Sequence, residues 1–287
     1  MTLTTSVTFL GLGEMGRTLA AAVAKTSTSV TVWNRTPGRT GELAGATVAN
    51  TVEEAVAASP VIVVCLFDHA SVHQTLDPVV SQLRGRAVVN LTTTNQDEAR
   101  ELGQWAAAAG IEYLDGGIMA VPAMIGGPGS EILYSGSREA FERYREIFDT
   151  WGTSSYFGPD AGLASLYDLA LLAGMYVMFA GFFQGAAMVS TAGVSAREFA
   201  ERSAAWLSAM TAGFAEYAAV VDGGDYAAPG QQSLEFSDLA KMIEATAALD
   251  IGAQPIAMVQ SLIQQQIDAG YRADGLPRIY ESIRNPG

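Results

Sequence analysis

The 287-residue chain contains one cysteine, Cys65, and two histidines, His69 and His73. A single thiol excludes a disulfide framework and a cysteine-ligated zinc cluster. Set in the apolar run 61–66, Cys65 reads as packing. Lysine is equally scarce, with only Lys25 and Lys241 present. Charged residues make up 16% of the chain, and acids outnumber bases 30 to 16, for a net charge of −14. Such a surface repels nucleic acid and anionic lipid, so neither is an expected partner. Residues 1–6 lack the basic and apolar segments of a signal peptide, which gives the expectation of a cytoplasmic protein.

Charge is missing altogether between residues 169 and 196. That run exceeds the apolar length that suggests a transmembrane helix. It nevertheless carries Gln184, Ser190 and Thr191, and no Lys or Arg occurs from 146 to 196 to orient a span. A span here would also put the two halves of the chain on opposite sides of a bilayer, so no membrane is expected. At about 100° per residue, Leu171, Leu172, Met175, Phe179 and Phe182 form a stripe headed by Asp168, while Gly174, Gly181, Gly185 and Ala192 lie on the opposite side. Small residues permit close approach of another helix, and burial on both sides points to a second subunit.

What is present is an apolar fraction of 49% and enough length for two domains. Residues 7–10 read as a buried strand running into Gly11-Leu12-Gly13-Glu14-Met15-Gly16, with a helix over 17–25. Strand, glycine turn and helix form a dinucleotide fingerprint: Gly11 for the turn, Gly13 for approach of a pyrophosphate to the backbone, Gly16 for close helix packing. About 20 residues on, where NAD binders place an acid for the ribose 2′-hydroxyl, this chain has Asn34-Arg35-Thr36-Pro37-Gly38-Arg39. Arg35 and Arg39 suit a 2′-phosphate, with Thr36 as a further donor, which favours NADP(H). Residues 1–50 accordingly carry a net +2, four bases against two acids, within a −14 chain.

Strands expected at 47–49, 61–67, 86–90 and 112–115 alternate with helices at 51–58, 71–83 and 97–109, which predicts a doubly wound parallel sheet. Ligands bind at the carboxyl ends of such strands, here Leu66 and Phe67, Asn90 to Thr92, and Asp115. The stretch 115–129 mixes glycine, proline and large apolar residues without a period. It is expected to be a loop that sets Met119, Val121 and Met124 against the nicotinamide. Strands at 131–136 and 155–157 close the domain. His69 and His73 have the i,i+4 spacing of a zinc pair, but no HExxH pattern accompanies them and Asp68 is the one nearby acid in sequence, so no metal is expected. Beyond 196 the chain is helical, over 196–221, 234–249, 255–269 and 275–284. The whole is expected to be α/β: an N-terminal Rossmann domain (1–162), a long interdomain helix (163–195) and an all-α C-terminal domain (196–287).

These residues resemble the 3-hydroxyacid dehydrogenase superfamily and, within it, the NADPH-dependent imine reductases. The resemblance rests on the glycine turn, on Asn34-Arg35-Thr36, on the block 115–127 with its Ile-Met-Ala-Val-Pro core, on Ile132-Leu133-Tyr134-Ser135-Gly136, on residues 166–172 and on residues 274–280. Hydroxyacid dehydrogenases of the superfamily carry a lysine and paired asparagines on the long helix. Aligned by Gly181, this chain has Asp168 at the lysine position and Leu171 and Leu172 at the asparagine positions. A later Lys-Asp-Leu reads Ser237-Asp238-Leu239. The resemblance therefore implies reduction of C=N bonds by hydride from NADPH, with Asp168 either protonating the nitrogen or stabilising an iminium. Tyr167 or Tyr176 is positioned to assist. It also implies a homodimer with intertwined helices, in which Trp206, Met210, Phe214 and Met242 of a second copy reach the substrate. Aspartate at this position is the form the family associates with R-selective members. Two alternatives stay open: a β-hydroxyacid-type dehydrogenase that has lost its lysine, and a non-catalytic NADPH-binding protein.

Overall fold

The computed structural model describes residues 6–36, 43–227 and 229–285. The chain divides into two compact units, Met1–Leu172 and Ala173–Gly287. In order, the first contains β1 (Ser6–Leu10), α1 (Glu14–Ala24), β2 (Ser29–Trp33), β3 (Ala46–Val48), α2 (Val52–Ala57), β4 (Val61–Val64), α3 (His69–Leu76), α4 (Val80–Leu83), β5 (Ala87–Asn90), α5 (Gln96–Ala109), β6 (Glu112–Met119), β7 (Glu131–Gly136), α6 (Arg138–Phe148), β8 (Thr153–Tyr156) and the start of α7 (Gly162–Ser190).

The strands form one sheet in the order β3-β2-β1-β4-β5-β6-β7-β8. Central strands β4 and β5 are buried along their whole length, as expected where helices cover both faces. Alternate residues feed two separate cores. Val7, Phe9, Val61 and Val63 pack with Leu19, Val23, Phe148 and Trp151 on one face. Leu10, Ile62, Val64 and Val88 pack with Val56, Leu76, Leu83 and Leu102 on the other. Neighbouring strands run parallel everywhere except at β6 and β7, which pair antiparallel from Leu114↔Gly136 to Met119↔Glu131.

That pair corrects the sequence expectation. β6 continues through Asp115 to Met119 and turns back into β7, with a single turn of 3₁₀ helix at Pro122–Met124. Gly116 and Gly117 carry no side chains, so the alternation that marks a strand is erased where the strand runs on. A second correction concerns the helix expected at 71–83. Pro78 has no amide proton to continue the ladder, so α3 stops at Leu76 and a 3₁₀ turn, Asp77–Val79, leads to α4.

The second unit holds the rest of α7, then α8 (Ala196–Met210), α9 (Phe214–Gly223), α10 (Ala240–Ala248), α11 (Gln254–Asp268) and α12 (Ile279–Arg284). The long helix expected over 163–195 starts one residue earlier, at Gly162, and ends five residues earlier, at Ser190. Gly193 takes a left-handed conformation (φ 81°), and the Ser195 hydroxyl accepts from the Glu198 amide to start α8. The helix expected over 196–221 is interrupted by a 3₁₀ turn at Thr211–Gly213. Phe199 of α8 explains one of the small residues of α7: a Cβ on Gly185 would sit 2.7 Å from its ring. Gly174 and Gly181 meet nothing within 4 Å. The segments Gly162–Ser190 and Ala196–Gly223 are long and apolar enough to cross a membrane by length and composition, and their most apolar stretches are almost wholly unburied within the chain.

Candidate active site from the glycine turn to Asp168

β1 runs into Gly11, whose φ of 97° suits glycine and whose missing Cβ avoids the Cys65 carbonyl. Gly16 similarly clears the Gly11 carbonyl, which brings α1 tight against the turn. Gly13 differs, because a Cβ there would meet nothing within 4 Å. The position faces open space, as a backbone approached by a ligand must. Gly13 is also the N-cap of α1 and offers no side-chain cap, whereas α2, α3, α5 and α6 are capped by Thr51, Asp68, Asn95 and Ser137. The first amides of α1 are therefore available to an anion such as a pyrophosphate.

Asn34, at the end of β2, does more than replace an acid. Its Oδ1 accepts from the Leu12 amide at 3.0 Å, and its Nδ2 donates to the Thr36 carbonyl at 3.0 Å, tying the glycine turn to the basic turn. Arg35 donates to Gln74 Oε1 at 3.2 Å on α3. A cavity of about 360 Å³ is lined by Gly11, Leu12, Gly13, Glu14, Met15, Asn34, Arg35 and Thr36, with Cys65, Leu66 and Phe67 from the end of β4. Arg39 lies outside the described residues.

A second cavity, of about 290 Å³, shares Met15, Cys65, Leu66 and Phe67 with the first and extends past Leu91, Thr93, Gly116, Gly117 and Ile118 to Asp168 and Leu172. The two form one groove. Asp168 is 4% exposed, and this burial pushes its carboxyl up to about 6. It sits where Gly117 leaves room: a Cβ on that glycine would come 2.6 Å from the Asp168 Cβ. Burial also pushes the Cys65 thiol up to about 11, so it stays protonated and inert at the groove wall.

Behind Asp168 lies a buried polar cluster. Asp115 accepts from Ser165 Oγ at 2.7 Å, from the Tyr113 hydroxyl at 3.0 Å and from Asn90 Nδ2 at 3.4 Å. Its carboxyl is pushed up to about 7 by burial, offset by these donors and raised again by the nearby Asp168 charge. Ser165 lies three residues before Asp168 on α7 and also contacts Thr94 at 3.0 Å, so the cluster anchors the start of the helix that carries Asp168.

The groove gathers most of the sequence-identified cofactor residues, but two serve otherwise. Asn90 turns inward to Tyr113 and Asp115, and Thr92 accepts from the Leu66 amide at 2.9 Å, while Leu91 and Thr93 face the cavity. The apolar wall is made by Gly116, Gly117 and Ile118 rather than by Met119, Val121 and Met124. Met119 ends β6, Val121 is exposed, and Met124 sits in the 3₁₀ turn near Gly129. Tyr167 packs on Phe157 at 4.3 Å, and Leu171 is exposed. In the second unit Met175 is half-buried, while Tyr176, Phe179, Trp206, Met210 and Phe214 are exposed. Met242 lines a separate cavity of about 230 Å³ with Gly181, Gln184 and Met188. Sequence reasoning missed Gly117, Ser165 and the role of Asp115; the tandem glycine after Asp115 was the available signal. It also named Asp68 as the one acid near the histidines. That residue instead caps α3 through the Ser71 amide and hydroxyl, and Glu101 of α5 meets the two rings.

Residues 6–158 match the NAD binding domain of 6-phosphogluconate dehydrogenase, and residues 160–285 match the NADPH-dependent reductive aminase-like C-terminal domain. An NADPH-dependent reductive aminase from Aspergillus oryzae is 36% identical over 281 residues, covering 96% of this chain and 95% of that protein. A reductive aminase from Aspergillus terreus, solved with cyclohexanone and allyl amine, is 38% identical with a TM-score of 0.92, over 98% of this chain and 100% of that one. An imine reductase from Myxococcus stipitatus, solved with NADP+, is 32% identical with a TM-score of 0.90, over 97% and 99%.

Proposed function

The chain belongs to the family of NADPH-dependent reductive aminases and imine reductases, and from that premise we propose Asp168 as the carboxyl that acts on the substrate nitrogen. The protein is an oxidoreductase that reduces C=N bonds to amines with NADPH. The observation that carries the role of Asp168 is its placement: a buried carboxyl at the apolar end of a groove whose other end is the glycine turn. NADPH, when bound, supplies the hydride.

The chain's own residues do the rest. The uncapped first turn of α1 and the open backbone at Gly13 receive the pyrophosphate, and Arg35 and Thr36 receive the 2′-phosphate. Leu66, Ile118 and Leu172 give the reacting end an apolar lining that disfavours water. With its carboxyl at about 6, Asp168 is mostly ionised at neutral pH and pairs with a substrate that arrives as an iminium. That attraction amounts to several kcal/mol at most after desolvation. For a neutral imine, the protonated fraction of Asp168 donates its proton to the nitrogen. Lys25 and Lys241 line neither cavity of the groove, which removes the cation that hydroxyl chemistry in this superfamily uses.

We also read the protein as a cytoplasmic homodimer that binds neither nucleic acid nor membrane. Its support is the charge of −14, the single thiol and the uncharged part of α7 beyond Asp168, whose apolar surface the chain leaves largely bare. Trp206, Met210, Phe214 and Met242 are then candidate substrate contacts supplied by the second copy. Asp168→Ala is expected to lower kcat on a cyclic imine by roughly 10²–10⁴ with NADPH affinity within about twofold, read by cofactor oxidation and fluorescence titration. Unchanged turnover would remove Asp168 from the chemistry.

A further inference from the structure

His69 and His73 stand one turn apart on α3, and Glu101 reaches them from α5. Glu101 Oε2 lies 2.9 Å from Nε2 of both rings. On the far side of His73, Asp77 Oδ1 lies 3.1 Å from Nδ1. One ligand atom from each of His69, His73 and Glu101 falls within 4.8 Å of the others. The edge of Trp105 packs on His73, with ring centroids 5.7 Å apart. None of the three residues lines the groove that ends at Asp168.

The proton inventory of this cluster is incomplete. Ionised carboxylates only accept, so every imidazole nitrogen facing one needs either a proton or a cation between them. Neutral His73 has one N–H and two carboxylate neighbours. If Nδ1 donates to Asp77, the Nε2 lone pair points at Glu101, and His69 faces the same oxygen. A divalent ion bound by both Nε2 atoms and Glu101 resolves the conflict without an extra proton and leaves Nδ1–H of His73 donating to Asp77. This carboxylate–imidazole–metal arrangement orients a ligand ring and raises its basicity.

Geometry and donor type select the ion. Tetrahedral zinc with ligand bonds of about 2.0–2.1 Å holds its ligand atoms about 3.4 Å apart, so the N···O distances of 2.9 Å need to open by only a few tenths of an ångström. Two imidazoles suit zinc, nickel or copper and are poor ligands for the hard ions magnesium and calcium. The half-exposed Glu101 leaves a fourth position to water. We propose that His69, His73 and Glu101 form a binding site for a divalent transition-metal ion of the zinc class, with Asp77 orienting His73. Bound there, the ion joins α3 to α5. Because α3 begins two residues after Phe67, the ion also braces the β4–α3 turn that lines both cavities.

The test is calorimetric titration of the untagged full-length protein with zinc chloride, beside Glu101→Gln, His69→Gln and His73→Gln. The expected result is one equivalent bound at micromolar or lower concentration, weakened at least tenfold in each variant and about tenfold in Asp77→Asn. Thermal melts should rise by several degrees with zinc in the unsubstituted protein and stay level with magnesium. Circular dichroism of each variant identifies any that misfold, and the Glu101→Gln comparison, the most conservative change, then stands alone. Absence of saturable zinc binding overturns the proposal, as does equal binding by protein and folded variants, which identifies an adventitious surface ion.

Discussion

The two units of the chain bury their apolar residues very differently. In the first, strand residues such as Phe9, Ile62 and Leu114 and helix residues such as Leu19, Leu76 and Phe148 are sealed within a sheet covered on both faces. In the second, Tyr226, Leu234 and Ile263 are buried, while Phe183, Trp206, Phe214 and Phe236 are each more than three-fifths exposed. A sheet with helices on both sides closes its own core. The helices after residue 172 leave large apolar side chains exposed, the kind of surface that marks an interaction site when such residues are contiguous. The difference teaches that the first unit closes its own core and carries the groove, while the second leaves large apolar side chains exposed, the surface on which the proposed homodimer rests.

The comparison is broken most severely by charging the open surface. If the proposed homodimer forms over this face, Phe183→Asp should raise its dissociation constant by roughly 10³ or more, since it would put an unpaired carboxylate into an apolar contact. NADPH affinity should stay unchanged. Sedimentation at micromolar concentration checks this, and an assembly as tight as that of the unsubstituted protein would show that Phe183 faces solvent. A smaller effect tests the sealed unit from within. Gly117→Ala places a Cβ 2.6 Å from that of Asp168 and must displace it, so kcat should fall by about 10–100-fold at nearly constant melting temperature. A fully active variant would mean that the position of Asp168 is not critical.

The smallest effect concerns pH. Asp115, at about 7, and Asp168, at about 6, both lie above the ordinary carboxylate range because burial disfavours their charge. The folded state therefore holds more protons than the unfolded chain between about pH 4 and 7, and stability falls as pH rises through that window. Asp115→Asn keeps the shape and removes the titration. It should remove at least about 1–2 kcal/mol of the stability lost between low and neutral pH, seen as urea midpoints that converge at low pH and separate towards neutrality. Parallel profiles would show that Asp115 keeps an ordinary pKa.

Much of the first unit was legible. The glycine turn, the basic turn after β2 and the alternation of strands and helices are local patterns, and Asp168 stood out as a lone acid heading an uncharged helix. The antiparallel β6–β7 pair was not legible, because Gly116 and Gly117 hide the strand period. Met119, Val121 and Met124 were set on a wall that Gly116 and Gly117 occupy, since a glycine-rich strand end looks the same as a loop. Asn90 and Thr92 were placed at the right strand end with the wrong orientation, a difference of one residue on a pleated chain.

Sequence alone determined where a dinucleotide backbone can be approached, that a 2′-phosphate is favoured, and that the long helix brings one carboxyl and no lysine. Those properties follow from residue type at short spacing. Only the tertiary structure decided that Gly117 leaves room for Asp168, that Asp115 and Ser165 anchor its helix, and that Glu101, 28 residues beyond His73, closes the histidine pair. Contacts of that kind depend on how the sheet stacks its helices side by side, and the packing of two distant faces leaves no mark in the spacing of either segment.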